Sequence, residues 1–120
     1  MSKPRAGIKV LYHATHQKNL KSIIATGLNP ELATGDLMAV WLCERKVRDW
    51  AVEHVAERHS WVPAECVLVR VHIRPVRVHR TRWEHVFYCP TLIHPTLLFL
   101  EDRLGVWQPA GMRFTRRRGV

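Results

Sequence analysis

Acidic residues are scarce. There are 10 Asp and Glu against 19 Lys and Arg, which gives a net charge of +9 and a pI near 10.3. An excess of that size in a small domain points to a polyanionic partner, nucleic acid first and an anionic membrane second, beyond the solubility a basic surface provides. Part of it lies between Arg113 and Arg118, so the chain reads as a domain over 1–112 with a basic tail over 113–120. Cysteine is sparse too. Cys43, Cys66 and Cys89 are odd in number, widely spaced and without a CxxC pair, which excludes a disulfide framework and a zinc knuckle. Each sits in an apolar, strand-like run, where cysteine behaves as a small hydrophobe, and a reducing compartment follows. No apolar leader follows Met1-Ser2-Lys3-Pro4-Arg5, and no apolar run reaches the ~20 residues that span a bilayer. A cytoplasmic protein without a membrane partner is the expectation. With 120 residues, 47% of them hydrophobic, and neither repeat nor linker, the chain fits one domain with one core.

What is present reads as alternating strands and helices. Residues 8–13 form a first strand. Thr15 caps a helix carrying Leu20, Ile23 and Ile24, which Gly27 closes. Leu28 to Met38 is a loop of lid length. Ala39 to Cys43 is apolar throughout, so it reads as a central strand buried on both faces. A second helix runs from about Glu44 to Arg58 with a stripe of Val47, Trp50, Ala51 and Val55, and with end charges that match its dipole. Glu65 to Ile73 is the clearest strand. Shorter strands follow over Val76–Arg80, Trp83–Cys89, Thr96–Leu100 and Gly105–Trp107. The order is βαβα followed mostly by β, an α+β domain.

Few residues could carry chemistry. His13 lies where the first strand hands over to the first helix, a place where ligands tend to bind, and so it marks one wall of a nucleotide pocket. A hydrogen-bonded structural role is the competing reading. His16 stands three residues on, but without an HExxH motif or an acidic third ligand a metal pair is not supported. Glu84 is an acid beside Trp83, opening the apolar strand Val86-Phe87-Tyr88. It is either a solvated edge charge or a carboxylate placed to stabilise positive charge in a ligand. Glu101-Asp102 is the rival acidic pair. Trp41 reads as core or as a stacking platform for a flat ring. Arg45, Arg58, Arg77, Arg80 and Arg82 could bind phosphate or form a solvated basic face.

Three blocks together resemble the ADP-ribosyltransferase superfold, taken to include the tRNA 2′-phosphotransferases. The first is Leu11-Tyr12-His13-Ala14-Thr15 followed by Asn19-Leu20, Ile23-Ile24 and Gly27-Leu28. The second is Val40-Trp41-Leu42. The third is Trp83-Glu84-His85-Val86-Phe87-Tyr88 followed by Ile93-His94-Pro95 and Leu97-Leu98. They span roughly residues 8–100 in the family's order. The resemblance implies a split antiparallel sheet around a nucleotide cleft. It also implies NAD as co-substrate, held by Tyr12, His13, Thr15, Trp41, Arg45 and Arg58. His13 would grip a ribose and count with Glu84 as catalytic. Trp41 would stack on nicotinamide where relatives carry Tyr. Glu84 would bind the ribose 2′-OH and stabilise an oxocarbenium-like transition state.

The activity so implied is NAD-dependent ADP-ribosyl transfer, with the net charge pointing to DNA or RNA as acceptor. Arg58-His59 resembles part of the Arg-His-Gly pattern of the 2′-phosphotransferases and supports removal of a 2′-phosphate from RNA as the alternative. That branch commonly lacks a glutamate at the position of Glu84 and usually carries an N-terminal basic lobe. A non-catalytic nucleic-acid-binding module on the same fold is a third reading. A protein-modifying toxin with an antitoxin-type partner is a fourth.

Overall fold

A computed structural model describes residues 10–32, 38–74, 76–101 and 106–110. The readings that fall on residues 1–9, 33–37, 102–105 and 111–120 lie outside them. These include the start of the first strand, the middle of the 28–38 loop, Asp102 and the basic tail. The strands are β1 (Val10–His16), β2 (Val40–Cys43), β3 (Cys66–His72), β4 (His79–Arg80), β5 (Val86–Cys89), β6 (Leu98–Glu101) and β7 (Trp107–Pro109). The helices are α1 (Leu20–Thr26) and α2 (Arg48–His59). Among the described residues this is a small α+β domain with one seven-stranded antiparallel sheet, in the order β4-β5-β2-β1-β3-β6-β7. No described helix is long and apolar enough to cross a membrane.

The centre of the sheet is the β1–β3 pair. All seven residues of β1 find partners, from Val10 opposite His72 to His16 opposite Cys66. Opposed residues share a face, so alternation sorts the sheet into two sides. Leu11, Leu42, Val69, Val71, Phe87, Leu98 and Leu100 point to one side and are buried. There they meet Ile23 of α1, with Leu20 and Ile24 packed against the cluster. Full burial of each such aliphatic side chain stabilises the fold by about 1.5–3 kcal/mol. Helix α2 packs instead on β1 and β3 and contributes nothing to that cluster.

Several boundaries differ from the sequence reading, each for a local reason. β1 does not end at His13; pairing with β3 carries it through His16, so His13 lies within the strand. Thr15 is not the cap. Its buried hydroxyl accepts from Asn19 Nδ2 at 2.9 Å, and the imidazole of His16 takes the Lys18 N–H at 3.0 Å. A 3-10 turn over Arg45–Val47 precedes α2, whose buried residue is Ala56, flanked by half-buried Ala51, Val52 and Val55; Trp50 faces out. Trp41 is 39% exposed, so β2 is central but open on one side. Of Val76–Arg80 only His79–Arg80 pairs, and β5 begins at Val86, which leaves Trp83, Glu84 and His85 in the preceding turn.

Gly27 closes α1 at φ +89°, with its N–H donated to the Ile23 carbonyl at 2.8 Å. Leu28 and Ile93 then exchange both backbone hydrogen bonds, at 2.9 and 3.0 Å. A Cβ on Gly27 would sit 2.2 Å from the Ile93 carbonyl oxygen, a backbone atom that cannot swing aside. Gly27→Ala is therefore expected to cost at least ~2 kcal/mol, from strain at positive φ and from displacing that bridge. A urea denaturation midpoint unchanged from wild type would show that the bridge yields freely.

Candidate functional site

β1 and β2 are neighbours through one backbone pair, Tyr12 opposite Cys43. Beyond it the strands part, and His13 Nδ1 lies 2.8 Å from the Trp41 carbonyl oxygen. A carbonyl only accepts, so Nδ1 carries the proton and donates, leaving Nε2 as an acceptor in the neutral ring. Nε2 makes no hydrogen bond among the described residues. Burial pushes the His13 pKa below its ordinary 6.5, against the smaller opposing effect of the Trp41 carbonyl. The imidazole is thus a neutral, oriented acceptor at the point where two central strands diverge.

The turn before β5 builds a second feature. The Thr81 hydroxyl lies 2.9 Å from the Val86 carbonyl oxygen and accepts the Trp83 N–H at 3.1 Å, which fixes the loop that holds Arg82, Trp83, Glu84 and His85. Arg82 lies over the Trp83 ring at 4.6 Å. His85 takes φ +67°, uncommon for a residue with a side chain and a mark of a conformation imposed by its surroundings. Its backbone carbonyl accepts the Glu44 N–H at 2.9 Å, which extends the β2–β5 ladder by one rung. The His85 ring then stands between two carboxylates. Nδ1 is 3.3 Å from Glu44 Oε1 and Nε2 is 3.5 Å from Glu84 Oε1. The Nδ1 contact is out of line for a hydrogen bond, so it is an electrostatic contact of a buried nitrogen. Glu44 and His85 side chains are largely covered, whereas that of Glu84 is 78% exposed. These residues, with Arg80, Arg82, Trp83 and Phe87, line a cleft of about 240 Å³.

The residues singled out from sequence fall into separate groups. Glu84 lines this cleft; His13, Tyr12, Thr15, Trp41, Arg45 and Arg58 do not. His13 and Trp41 are joined by their hydrogen bond. Tyr12 is buried on the opposite face from His13, edge-on to Trp107 at 5.8 Å. Thr15 is occupied by Asn19. Arg45 is exposed just beyond Glu44, and Arg58 is exposed at the far end of α2 beside His59. Sequence reading missed His85 and Glu44. Nothing in the sequence announces a left-handed histidine, and Glu44 was legible only as a charge near a helix start. Burial and the neighbouring Glu44 push the Cys43 thiol up to about 12 against a lesser effect of Arg48, so it is an inert core group. Among the described residues no three of His, Cys, Asp and Glu gather as they would around a metal ion. No family model matches the chain, and no curated protein does.

The depressed His13 pKa has a definite sign in stability. The folded state holds the ring neutral, so the unfolded chain binds the extra proton below pH 6.5. Stability from this group is complete above 6.5 and is lost as pH falls below it. The difference in urea midpoint between wild type and His13→Asn should therefore shrink from neutral pH towards pH ~5. A constant or widening difference would mean that His13 is not held neutral.

Proposed function

We propose that the protein is an NAD-dependent ADP-ribosyltransferase acting on nucleic acid. The observation that carries this reading is that β2 is bordered by two unlike groups, one on β1 and one in the turn before β5. His13 is a neutral acceptor anchored to Trp41, and Glu84 is an accessible carboxylate in a turn braced against β2 by the Glu44–His85 rung. Both belong to the blocks that resemble the family. NAD enters as substrate. Its nicotinamide leaves with the bonding pair of the glycosidic bond, and positive charge develops on the ribose before the acceptor is fully bonded. A carboxylate held beside that sugar is worth most at that moment.

Each residue has a task in this reading. His13 Nε2 accepts from a ribose hydroxyl. Trp41 takes the nicotinamide role through the resemblance alone, since its half-open indole stands on the sheet face opposite the His13 ring. Arg80 and Arg82 supply positive charge at the cleft mouth for the pyrophosphate. A cleft of about 240 Å³ lies below the ~300–1,000 Å³ of pockets that enclose a drug-sized ligand, so it suits one ribose with its base rather than a whole dinucleotide. Glu44 and His85 are positioning groups: Glu44 faces one ring nitrogen of His85, and the other faces Glu84. The 2′-phosphotransferase alternative rests on Arg58-His59, at the opposite end of α2 from Arg45.

Nicotinamide release from NAD in the presence of DNA or RNA tests the reading. Glu84→Gln should lower it by about 100-fold or more, the scale of removing one charge-stabilising group. Because Glu84 is exposed, the urea midpoint should stay within ~0.5 kcal/mol of wild type. Arg58→Ala should cost less than Glu84→Gln. The reverse order, with loss of 2′-phosphate from RNA, would favour the phosphotransferase. Absence of nicotinamide release and of label transfer to any acceptor would end the enzyme reading.

A further inference from the structure

Every strand of the sheet places a ring or a cation on the face away from the aliphatic core. Tyr12 lies opposite Cys43 and Arg70, Trp41 opposite Tyr88, Tyr88 opposite His79, and Arg70 opposite Phe99. Trp107 shares this side through its partner Glu101, two residues along from Phe99. The rings touch in two runs. His79 stacks on Tyr88 at 5.1 Å, and Tyr88 meets Trp41 at 5.8 Å. Arg70 lies over both Phe99 and Trp107, at 5.9 and 5.8 Å, while His72 stacks on Phe99 at 4.3 Å. None of these residues belongs to the core cluster. Apart from Tyr12, which is buried, the set is partly open or exposed.

Among the described residues, two buried polar atoms on this face have no hydrogen-bond partner. Arg70 Nε and His72 Nε2 are buried and without a hydrogen bond. Arg Nε only donates, so it calls for an acceptor such as a phosphate or base oxygen. Seven strands with aromatic or cationic side chains on one face, in a chain of net charge +9, match a ligand that is anionic along its backbone and flat in its bases. A duplex hides its base faces, and an acidic peptide would use the cations but leave the rings idle.

We propose that this face docks single-stranded nucleic acid, with unstacked bases lying against Phe99 and Trp107 and with Arg70 between those rings. The proposal takes from the reading above only that the acceptor is a nucleic acid. Trp41 belongs to both, so a strand crossing the face passes beside the residue assigned to nicotinamide.

Fluorescence anisotropy with labelled oligo-dT or oligo-U of about 12 nucleotides, titrated with the full chain, reads the binding. Phe99→Leu and Trp107→Leu should each weaken it about tenfold, the scale of one lost base stack. The dependence on salt should keep its slope, since no cation is removed. Photocrosslinking of a strand bearing a halogenated base to the wild-type chain tests the same face without a mutation. Adducts on β5, β6 or β7 support the proposal; adducts confined to the arginine-rich tail overturn it. Wild-type affinity in both folded variants, equal affinity for duplex of the same length, or no binding of either oligonucleotide would also overturn it. Nicotinamide release from NAD, measured without nucleic acid, is unchanged in both variants if the transferase reading holds. Absence of nicotinamide release and of label transfer in wild type, both with and without nucleic acid, would overturn that reading and leave the face intact.

Discussion

One backbone pair, Tyr12 with Cys43, joins the two halves of the sheet at its middle, and the His13 side chain takes up where the ladder stops. Strands β3, β6 and β7 hang from β1, and β4 and β5 hang from β2, so the relation of the halves depends on this short seam. A ladder of full length would satisfy the Trp41 carbonyl with a backbone N–H. With the strands parting, that acceptor would be left without a partner at ~1–3 kcal/mol if buried. His13 meets the need and is fixed by it. The same bond that compensates the divergence selects the tautomer and leaves Nε2 facing outward from the chain's own hydrogen bonding. A structural role and a ligand role for His13 are therefore not alternatives; the first creates the condition for the second.

Much of the fold could be read from the chain because its strands are apolar and its breaks are chemically plain. Gly27, Pro63 and Pro95 fall at element ends, and the valine-rich run around Val67–Val71 pairs as a long strand. The strands form one continuous sheet where a split sheet was expected, and β1 and β2 share a single backbone pair within it. What escaped depends on tertiary partners. Past His13 the chain reads as a handover to the first helix with Thr15 as its cap, yet pairing with β3 carries the strand through His16 and overrides that preference. Trp50 fits a helical stripe by spacing, but it faces out, and Ala56 is the residue that α2 buries. The site was legible in part. His13, Trp41 and Glu84 were singled out, while Glu44 and His85 acquire meaning only when a left-handed residue turns an imidazole between two carboxylates.

The two sides of the sheet divide the labour of the sequence. Alternation on β3 sends Val69 and Val71 into the core and Arg70 and His72 to the other face. A single-residue slip of register would exchange them and bury the Arg70 guanidinium and the polar His72 ring in an aliphatic core. Register is thus enforced by the cost of misplacing Arg70 as much as by the gain of burying valine. This gives the aromatic face a firm scaffold. Its rings stand on strands whose opposite sides are locked by the core, so little ordering would remain to oppose binding.

An exposed carboxylate is a weak electrostatic tool while it stays in water. Opposite charges ~4 Å apart interact by about 1 kcal/mol at the dielectric of water and about 4 kcal/mol at the effective value of a partly covered protein site. A rate effect of ~100-fold corresponds to about 2.7 kcal/mol, which only the second condition supplies. Glu84, at 78% exposure, lacks that environment in the chain alone. The cleft supplies half of it, with Trp83 and Phe87 as apolar walls and Glu44 and His85 covered beneath. The other half has to come from the substrate. A ribose and its base seated on the open side would exclude water from the carboxylate at the moment charge develops on the sugar. In the proposed reaction the ligand therefore completes the electrostatic site, and a poor fit in the cleft would weaken catalysis even where binding through the arginines persists.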